Sequence, residues 1–246
     1  MSINYIPIEV CEKVFEYLSF TDYRSAKEVS HLWNSIIKRL VNQNIKVFGV
    51  QKWKEYYNLT IDGEIPALPP NTLEILQPEH SDVSKRVPVS IILVPKGIRF
   101  DKLEEILDNP CNLNKKGEIK SLFSRNCVNR FGDAPIKKNY WVAITDAVIE
   151  ESRGIGLIAQ RCLISRVMGP SWDAPKLIEI VISCFMNYNR SGQHLLGSSP
   201  LTYTNVQESI DTYPLVVGNF EQGALTINNR FGNYTCYAVT ARRELV

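Results

Sequence analysis

Apolar positions in the first forty-five residues recur at helical spacing. Val10, Val14 and Leu18 stand at i, i+4, with Cys11, Phe15 and Tyr17 beside them, and Glu9, Glu12, Lys13 and Glu16 fill the other side. At 100° per residue the apolar six span ~160°, wider than the ~100° stripe a helix needs to face one core. Pro7 suits the first turn, where a missing N–H costs nothing. Thr21 offers an N-cap for a short helix bearing Tyr23, Ala26 and Val29, and Ser30 can cap or bend the start of the next. Leu32, Trp33, Ile36, Ile37, Leu40 and Val41 follow helical spacing again. Three short helices in ~40 residues lie near the lower size limit for a free-standing core. Their apolar surface exceeds what so small a bundle can bury, so part of it is expected to meet a partner.

Beyond residue 45 the pattern changes. Gln51 to Tyr57 predicts helix with Trp53, Tyr56 and Tyr57 available to pack, and Ile65-Pro66-Ala67-Leu68-Pro69-Pro70 excludes regular helix or central strand, because proline lacks the donor N–H. Residues 46–86 are therefore expected to form a helical, proline-rich connector, semi-rigid in character, with a polar loop from Glu79 to Lys85; a plain surface loop is the alternative. From residue 87 strand and helix signals mix. Val89–Val94 and Tyr140–Thr145 predict buried strands, and Asp101 can cap a helix ending at Leu107. Lys115 to Asn129 is ambiguous. Helices are predicted at Leu157–Val167 and Pro175–Tyr188, the second apolar nearly all round, capped near Asp173 or Ala174 and stopped at Gly192. Leu215–Val217, Ala224–Ile227 and Tyr234–Thr240 predict a late antiparallel sheet. The fold class is thus α+β: an N-terminal three-helix unit (1–45), the connector (46–86) and a mixed α+β domain (87–246). No period of 20–50 residues marks a repeat array.

The early residues carry a resemblance. Ile6-Pro7-x-Glu9-Val10, Val14-Phe15-x-Tyr17-Leu18, Asp22, Ala26, Val29-Ser30 and Trp33 resemble the F-box in order and spacing, over residues 5–41. The family often has leucines after the aspartate, where this chain has Tyr23-Arg24-Ser25. The resemblance implies that Ile6, Pro7, Ile8, Val10, Val14, Leu18, Val29 and Trp33 pack against a Skp-type adaptor, which a cullin scaffold holds near a charged ubiquitin carrier. Periodicity alone also permits a generic helical cap folded onto the rest of the chain.

A second resemblance lies further along. Tyr140-Trp141-Val142, Ser152-Arg153, Ala159-Gln160, Tyr188-x-Arg190-Ser191-Gly192, Tyr203-Thr204-x-x-Gln207-Glu208 and Val216-Val217-Gly218-x-Phe220 are similar to an uncharacterised family of amoeba-infecting relatives of chlamydiae. It implies no known chemistry. It makes a bacterial effector acting in the cytosol of a eukaryotic host, through the host's ubiquitin system, a reasonable expectation.

Composition narrows the field. With 28 basic and 26 acidic residues in 246, the net charge of +2 gives no broad preference for nucleic acid or anionic membrane. No apolar run approaches the ~20 residues of a membrane helix. The six cysteines include no C-x-x-C pair, so neither a zinc site nor a dense disulfide framework is expected, and a reducing cytoplasm is the simplest setting. No cofactor and no metal are expected.

Catalytic candidates are few. Histidine occurs only at 31, 80 and 194. Cys184 with His194 would be a nucleophile and base, but an all-round apolar helix tends to hold an inert thiol. Gly154-Ile155-Gly156 is too short for a dinucleotide fingerprint. Asp146, Glu150 and Glu151 are better explained as a solvated loop than as an acid–base pair. Tyr188, Arg190, Tyr203 and Gln207 mark a polar, aromatic loop as the candidate target-binding surface. The expectation is a two-part substrate receptor of a ubiquitin ligase and not an enzyme. The alternatives are an enzyme domain beginning near residue 87 that an F-box localises, and a binding module whose helices serve another partner.

Overall fold

The computed structural model describes residues 46–76, 87–111, 120–122, 125–197, 199–221, 224–230, 232 and 234–245. The three helices predicted for residues 1–45, all eight adaptor-binding positions and the polar loop predicted at 79–85 lie outside the described residues.

Two sheets flank one buried helix. In chain order the elements are β1 (Lys46–Phe48), α1 (Val50–Tyr57), α2 (Thr72–Ile75), β2 (Val89–Val94), α3 (Phe100–Leu107), β3 (Lys120–Leu122), α4 (Arg125–Phe131), β4 (Tyr140–Thr145), a 3-10 turn (Glu150–Ser152), α5 (Leu157–Met168), α6 (Leu177–Ser191), β5 (Tyr203–Ile210), β6 (Tyr213–Glu221), β7 (Ala224–Asn229), β8 (Tyr237–Ala238) and β9 (Arg242–Leu245). The first sheet runs β1-β2-β4-β9, and the second β3-β7-β6-β5-β8.

The strands β2 and β4 are VSIILV and YWVAIT, buried at every position, as continuous apolar runs covered on both faces must be. They pair antiparallel from Val89↔Thr145 to Val94↔Tyr140. One face gives Ile92, Val94, Val142 and Ile144 to a core shared with α6 and with Val206, Leu215, Val217, Leu225 and Ile227 of the second sheet. The other face gives Ile91, Leu93, Trp141 and Ala143 to a second core with Leu163, Ile164 and Met168 of α5. Because α6 meets apolar surface on all sides, its buried residues run from Leu177 to Asn189 without a break.

The entry to α6 differs from the predicted cap. The helix begins at Leu177, and Glu179 accepts the Lys176 N–H at 2.8 Å, while Glu208 accepts the Leu177 N–H at 2.8 Å. Orphan helix donors are thereby satisfied by carboxylates, which the helix dipole also favours. At the other end Gly192 takes the left-handed conformation (φ 71°) and closes the helix onto the Tyr188 carbonyl.

The late sheet is antiparallel only at its centre. The β5–β6 and β6–β7 pairs are antiparallel, whereas β3 joins β7 and β8 joins β5 in parallel. Tyr203–Ile210, expected as loop, is a strand. The expected Tyr234–Thr240 strand shortens to Tyr237–Ala238, because the Val239 N–H turns to Ser152 Oγ and the Thr240 N–H to Thr204 Oγ1.

Residues 46–76 are woven into the same fold and do not stand apart as a connector. Lys46–Phe48 pairs in parallel with Ser90–Ile92. Trp53 is fully buried and donates to the Leu93 carbonyl at 2.8 Å. The proline-rich run is pinned by Trp141, whose indole N–H donates to the Pro66 carbonyl at 2.7 Å, and by Asn139, whose amide donates to the Asp62 and Glu64 carbonyls. No helix among the described residues is long and apolar enough to cross a membrane.

Candidate functional site

The predicted surface residues fall into three separate places. Tyr188 is buried near the end of α6, with its ring stacked on His194 (centroids 4.9 Å, planes 6° apart) and tilted against Phe220 at 5.7 Å. Arg190 stands exposed two residues on. Gln207 sits at the opposite end of that helix, where its amide donates to the Ala174 carbonyl at 2.6 Å and its own N–H to Pro175. Eleven residues of helix part Leu177 from Tyr188, about 16 Å at ~1.5 Å per residue. Gln207 therefore braces the entry of α6 and does not adjoin Tyr188.

Tyr203 belongs to a different group. It opens β5 opposite Gly218, where a side chain is excluded: a Cβ there would meet the Thr202 carbonyl oxygen at 2.1 Å. Its ring lies 5.9 Å from Tyr237, which lies 5.9 Å from Tyr234. Under this row Arg230 stacks on the Tyr237 ring at 5.4 Å and donates to the carbonyls of Ile155 (2.8 Å) and Gly232 (3.0 Å) and to the oxygens of Asn205 (3.2 Å) and Gln160 (3.3 Å). Asn205 in turn donates to Gln160 at 2.6 Å and to the Ala238 carbonyl, and Gln160 to the Ser152 carbonyl. Burial lowers the guanidinium's pKa from its ordinary value and raises that of the Tyr203 phenol. One planar cation thus ties the start of α5 and the start of β5 to Gly232 and Tyr237 in a single tyrosine-faced surface.

Sequence reasoning found Tyr203 here but missed Arg230, Tyr234, Tyr237 and Ile158. A signal for Ile158 was present. It stands ~160° round α5 from the buried Gln160 at 100° per residue, so an isoleucine occupies the water side of the helix, where Arg161, Ser165 and Arg166 are also exposed.

The catalytic candidates separate. Cys184 is fully buried, and desolvation pushes its thiol well above the ordinary range, which disfavours the nucleophilic thiolate. His194 is engaged by aromatic rings, and its partial burial lowers its pKa. Asp146 turns inward: its side chain is 6% exposed, takes the Ser90 hydroxyl at 2.5 Å and pairs with Lys46 at 3.2 Å. Glu150 turns outward and is held by Arg153 at 2.7 Å, which lowers its pKa. The carboxylates expected as one loop cluster therefore have two unrelated structural roles. No group of three metal-ligating side chains occurs among the described residues.

Lys46, the first described residue, also donates to Asn187 Oδ1 at 2.7 Å, tying the beginning of the fold to α6. A segment that ends two residues short of it, residues 3–43, matches the F-box domain. The chain carries an F-box. The match encloses the 5–41 stretch on which the resemblance rests and includes all eight adaptor-binding candidates. F-box domains generally bind Skp-type adaptors in cullin ligases, and F-box proteins are typically substrate adaptors and not enzymes. No curated protein and no solved structure matches the chain.

Proposed function

We propose that this chain is the substrate-recognition subunit of a Skp–cullin–F-box ubiquitin ligase. The observation that carries the reading is the F-box match over residues 3–43. Ile6, Pro7, Ile8, Val10, Val14, Leu18, Val29 and Trp33 would bury their surplus apolar area against the adaptor, while the α+β fold holds the target. Catalysis then needs no chemistry in this chain: holding a lysine-bearing target beside a charged ubiquitin carrier raises its effective concentration.

The junction supports this division of labour. Only residues 44 and 45 separate the matched segment from β1, a reach of at most ~11 Å from residue 43 to Lys46 at ~3.6 Å per residue. A tether this short restricts where a target can sit relative to the adaptor. The proposal extends to an effector that works in host cytosol and borrows the host's ligase, as the resemblance read from the later segments would imply.

Affinity purification from eukaryotic cytosol tests the proposal. The intact chain is expected to bring down a Skp-type adaptor and a cullin, and a full-length variant with Pro7→Asp and Leu18→Asp to lose both. Recovery of neither subunit with the intact chain would overturn the proposal.

A further inference from the structure

We infer that Lys46 and Asn187 are the reactive pair of an intramolecular amide bond, with Asp146 as the proton carrier. The product is a covalent staple from β1 to α6, and it does not depend on the receptor reading above.

The topology explains why these three side chains meet. Lys46 lies opposite Ser90 in the parallel β1–β2 register, and Ser90 lies opposite Ile144 of β4. Asp146 follows directly after β4, with its N–H on the Pro88 carbonyl at 2.7 Å and its carboxylate on the Ser90 hydroxyl. Asn187 comes from the last turns of α6. Its amide is held from two sides, by donation to the Ser183 carbonyl at 3.1 Å and to Ser90 Oγ at 3.2 Å. Two strands, a loop and a helix thus bring an amine, a carboxylate and a carboxamide to one place.

Distances and burial then point to a reaction. Lys46 Nζ is 2.7 Å from Asn187 Oδ1. With a C=O bond of ~1.23 Å, it is then no more than ~3.9 Å from the carboxamide carbon. Near-attack arrangements lie at ~3–3.5 Å, a small adjustment away. The same Nζ is 3.2 Å from Asp146 Oδ2, and Asp146 Oδ1 is 3.5 Å from Asn187 Nδ2. One carboxylate therefore adjoins both the nitrogen that attacks and the nitrogen that leaves. Asn187 is 1% exposed and the Asp146 side chain 6%. Among the described residues Asp146 Oδ2 is buried and makes no hydrogen bond, although the Lys46 ammonium stands beside it. A buried carboxylate oxygen in that state is costly and readily accepts a proton.

The step balances without an outside reagent. Asp146 takes a proton from the Lys46 ammonium, and the freed amine attacks the Asn187 carboxamide carbon. The Nζ–Cγ bond forms, the Cγ–Nδ2 bond breaks, and the electron pair leaves on Nδ2. Asp146 delivers its proton to that nitrogen, which departs as ammonia. The second proton lost by Nζ stays on Asp146 until solvent removes it. Holding amine and carboxamide together makes the reaction unimolecular, which is what an otherwise slow aminolysis requires. The product joins the strand that follows the F-box match to the central helix, and closes residues 46–187 into a covalent loop. Such a loop restricts the unfolded chain, as a disulfide does. A pull on the segment before β1 could not strip that strand from the fold.

Mass spectrometry of the purified full chain, incubated at physiological temperature and then denatured, tests the inference. The expected mass is that of the sequence less one ammonia. A tryptic map should contain a branched peptide in which the segment bearing Lys46 is joined to the segment bearing Asn187, with no cleavage after Lys46. Lys46→Arg keeps a cation at the site and Asp146→Asn keeps the side-chain shape. Both are expected to retain the full mass and to yield two linear peptides, and a cooperative melt shows that each is folded. The wild-type measurement needs no variant. The full sequence mass in the wild-type chain, loss of ammonia without the branched peptide, or the same branched peptide from Asp146→Asn would each overturn the assignment. Adaptor binding through residues 3–43 is read separately by titration, so a failure here leaves the receptor reading to stand or fall by itself.

Discussion

The Lys46 ammonium donates to the Asn187 side-chain oxygen across 2.7 Å, joining β1 to the far end of the central helix. Asn187 returns the favour to the same node, donating to Ser90 Oγ at 3.2 Å, and Lys46 lies 3.2 Å from the Asp146 carboxylate. This arrangement compensates a carboxylate that is only 6% exposed. Lys46→Met should therefore leave Asp146 poorly compensated and cost about 2–3 kcal/mol, below the range for a fully buried pair because the lysine side chain is itself 21% exposed. Chemical denaturation measures the loss, and the double variant with Asp146→Asn should recover part of it. Hydrogen exchange should rise first in residues 46–48.

Arg230 is predicted to be irreplaceable by lysine. Its fork reaches two carbonyls and two side-chain oxygens while stacking on Tyr237, and a single ammonium cannot reproduce that geometry. Arg230→Lys is expected to cost about 1–3 kcal/mol through unsatisfied buried acceptors. It should also broaden the ring resonances of Tyr234 and Tyr237. A melting curve and an aromatic NMR spectrum check both.

Glu208 gives the stability a pH dependence of known sign. Burial raises its pKa above the ordinary 4.5, against the lowering effect of the Leu177 N–H bond. The folded state then keeps this proton to higher pH than the unfolded state does. Its favourable contribution is complete below pH 4.5 and is lost as the pH rises through the raised folded value. Glu208→Gln keeps an acceptor for Leu177 and removes the titration. The difference in melting temperature, variant minus wild type, should therefore increase as pH rises above 4.5.

Much of this architecture is legible in the chain, and the reasons are local. The runs at Val89–Val94 and Tyr140–Thr145 are apolar and β-branched or aromatic without interruption, so their strands appear at the predicted bounds. The all-round apolar helix lies between two sheets for the same reason. What was not legible depends on distant partners. Arg242–Leu245 is a strand because an edge of the first sheet is open to it, although its own residues are mostly charged. Residues 61–68 look like a connector because their anchors, Asn139 and Trp141, lie some seventy-five positions away. In β5 the buried Thr204 and Asn205 read as loop until Thr240 and Gln160 are placed beside them. The tyrosine surface is only partly legible, through Tyr203, because nothing near Arg230 in sequence announces the distant residues Ile155, Gln160 and Asn205 that it joins.

Thiol labelling should report the same packing. Cys111 and Cys162 are exposed, whereas Cys127 and Cys184 are buried. A maleimide reagent is expected to modify the first two in the native protein and to reach the others only on denaturation, as mass mapping would show. Rapid native modification of Cys184 would revive it as a nucleophile.

Calorimetric titration of a purified Skp-type adaptor into the full chain tests the central claim most directly. The prediction is saturable one-to-one binding, abolished by Pro7→Asp with Leu18→Asp, while the thermal unfolding of the α+β fold stays unchanged. Absence of binding by the wild-type chain, or equal affinity in the charged variant, would contradict it.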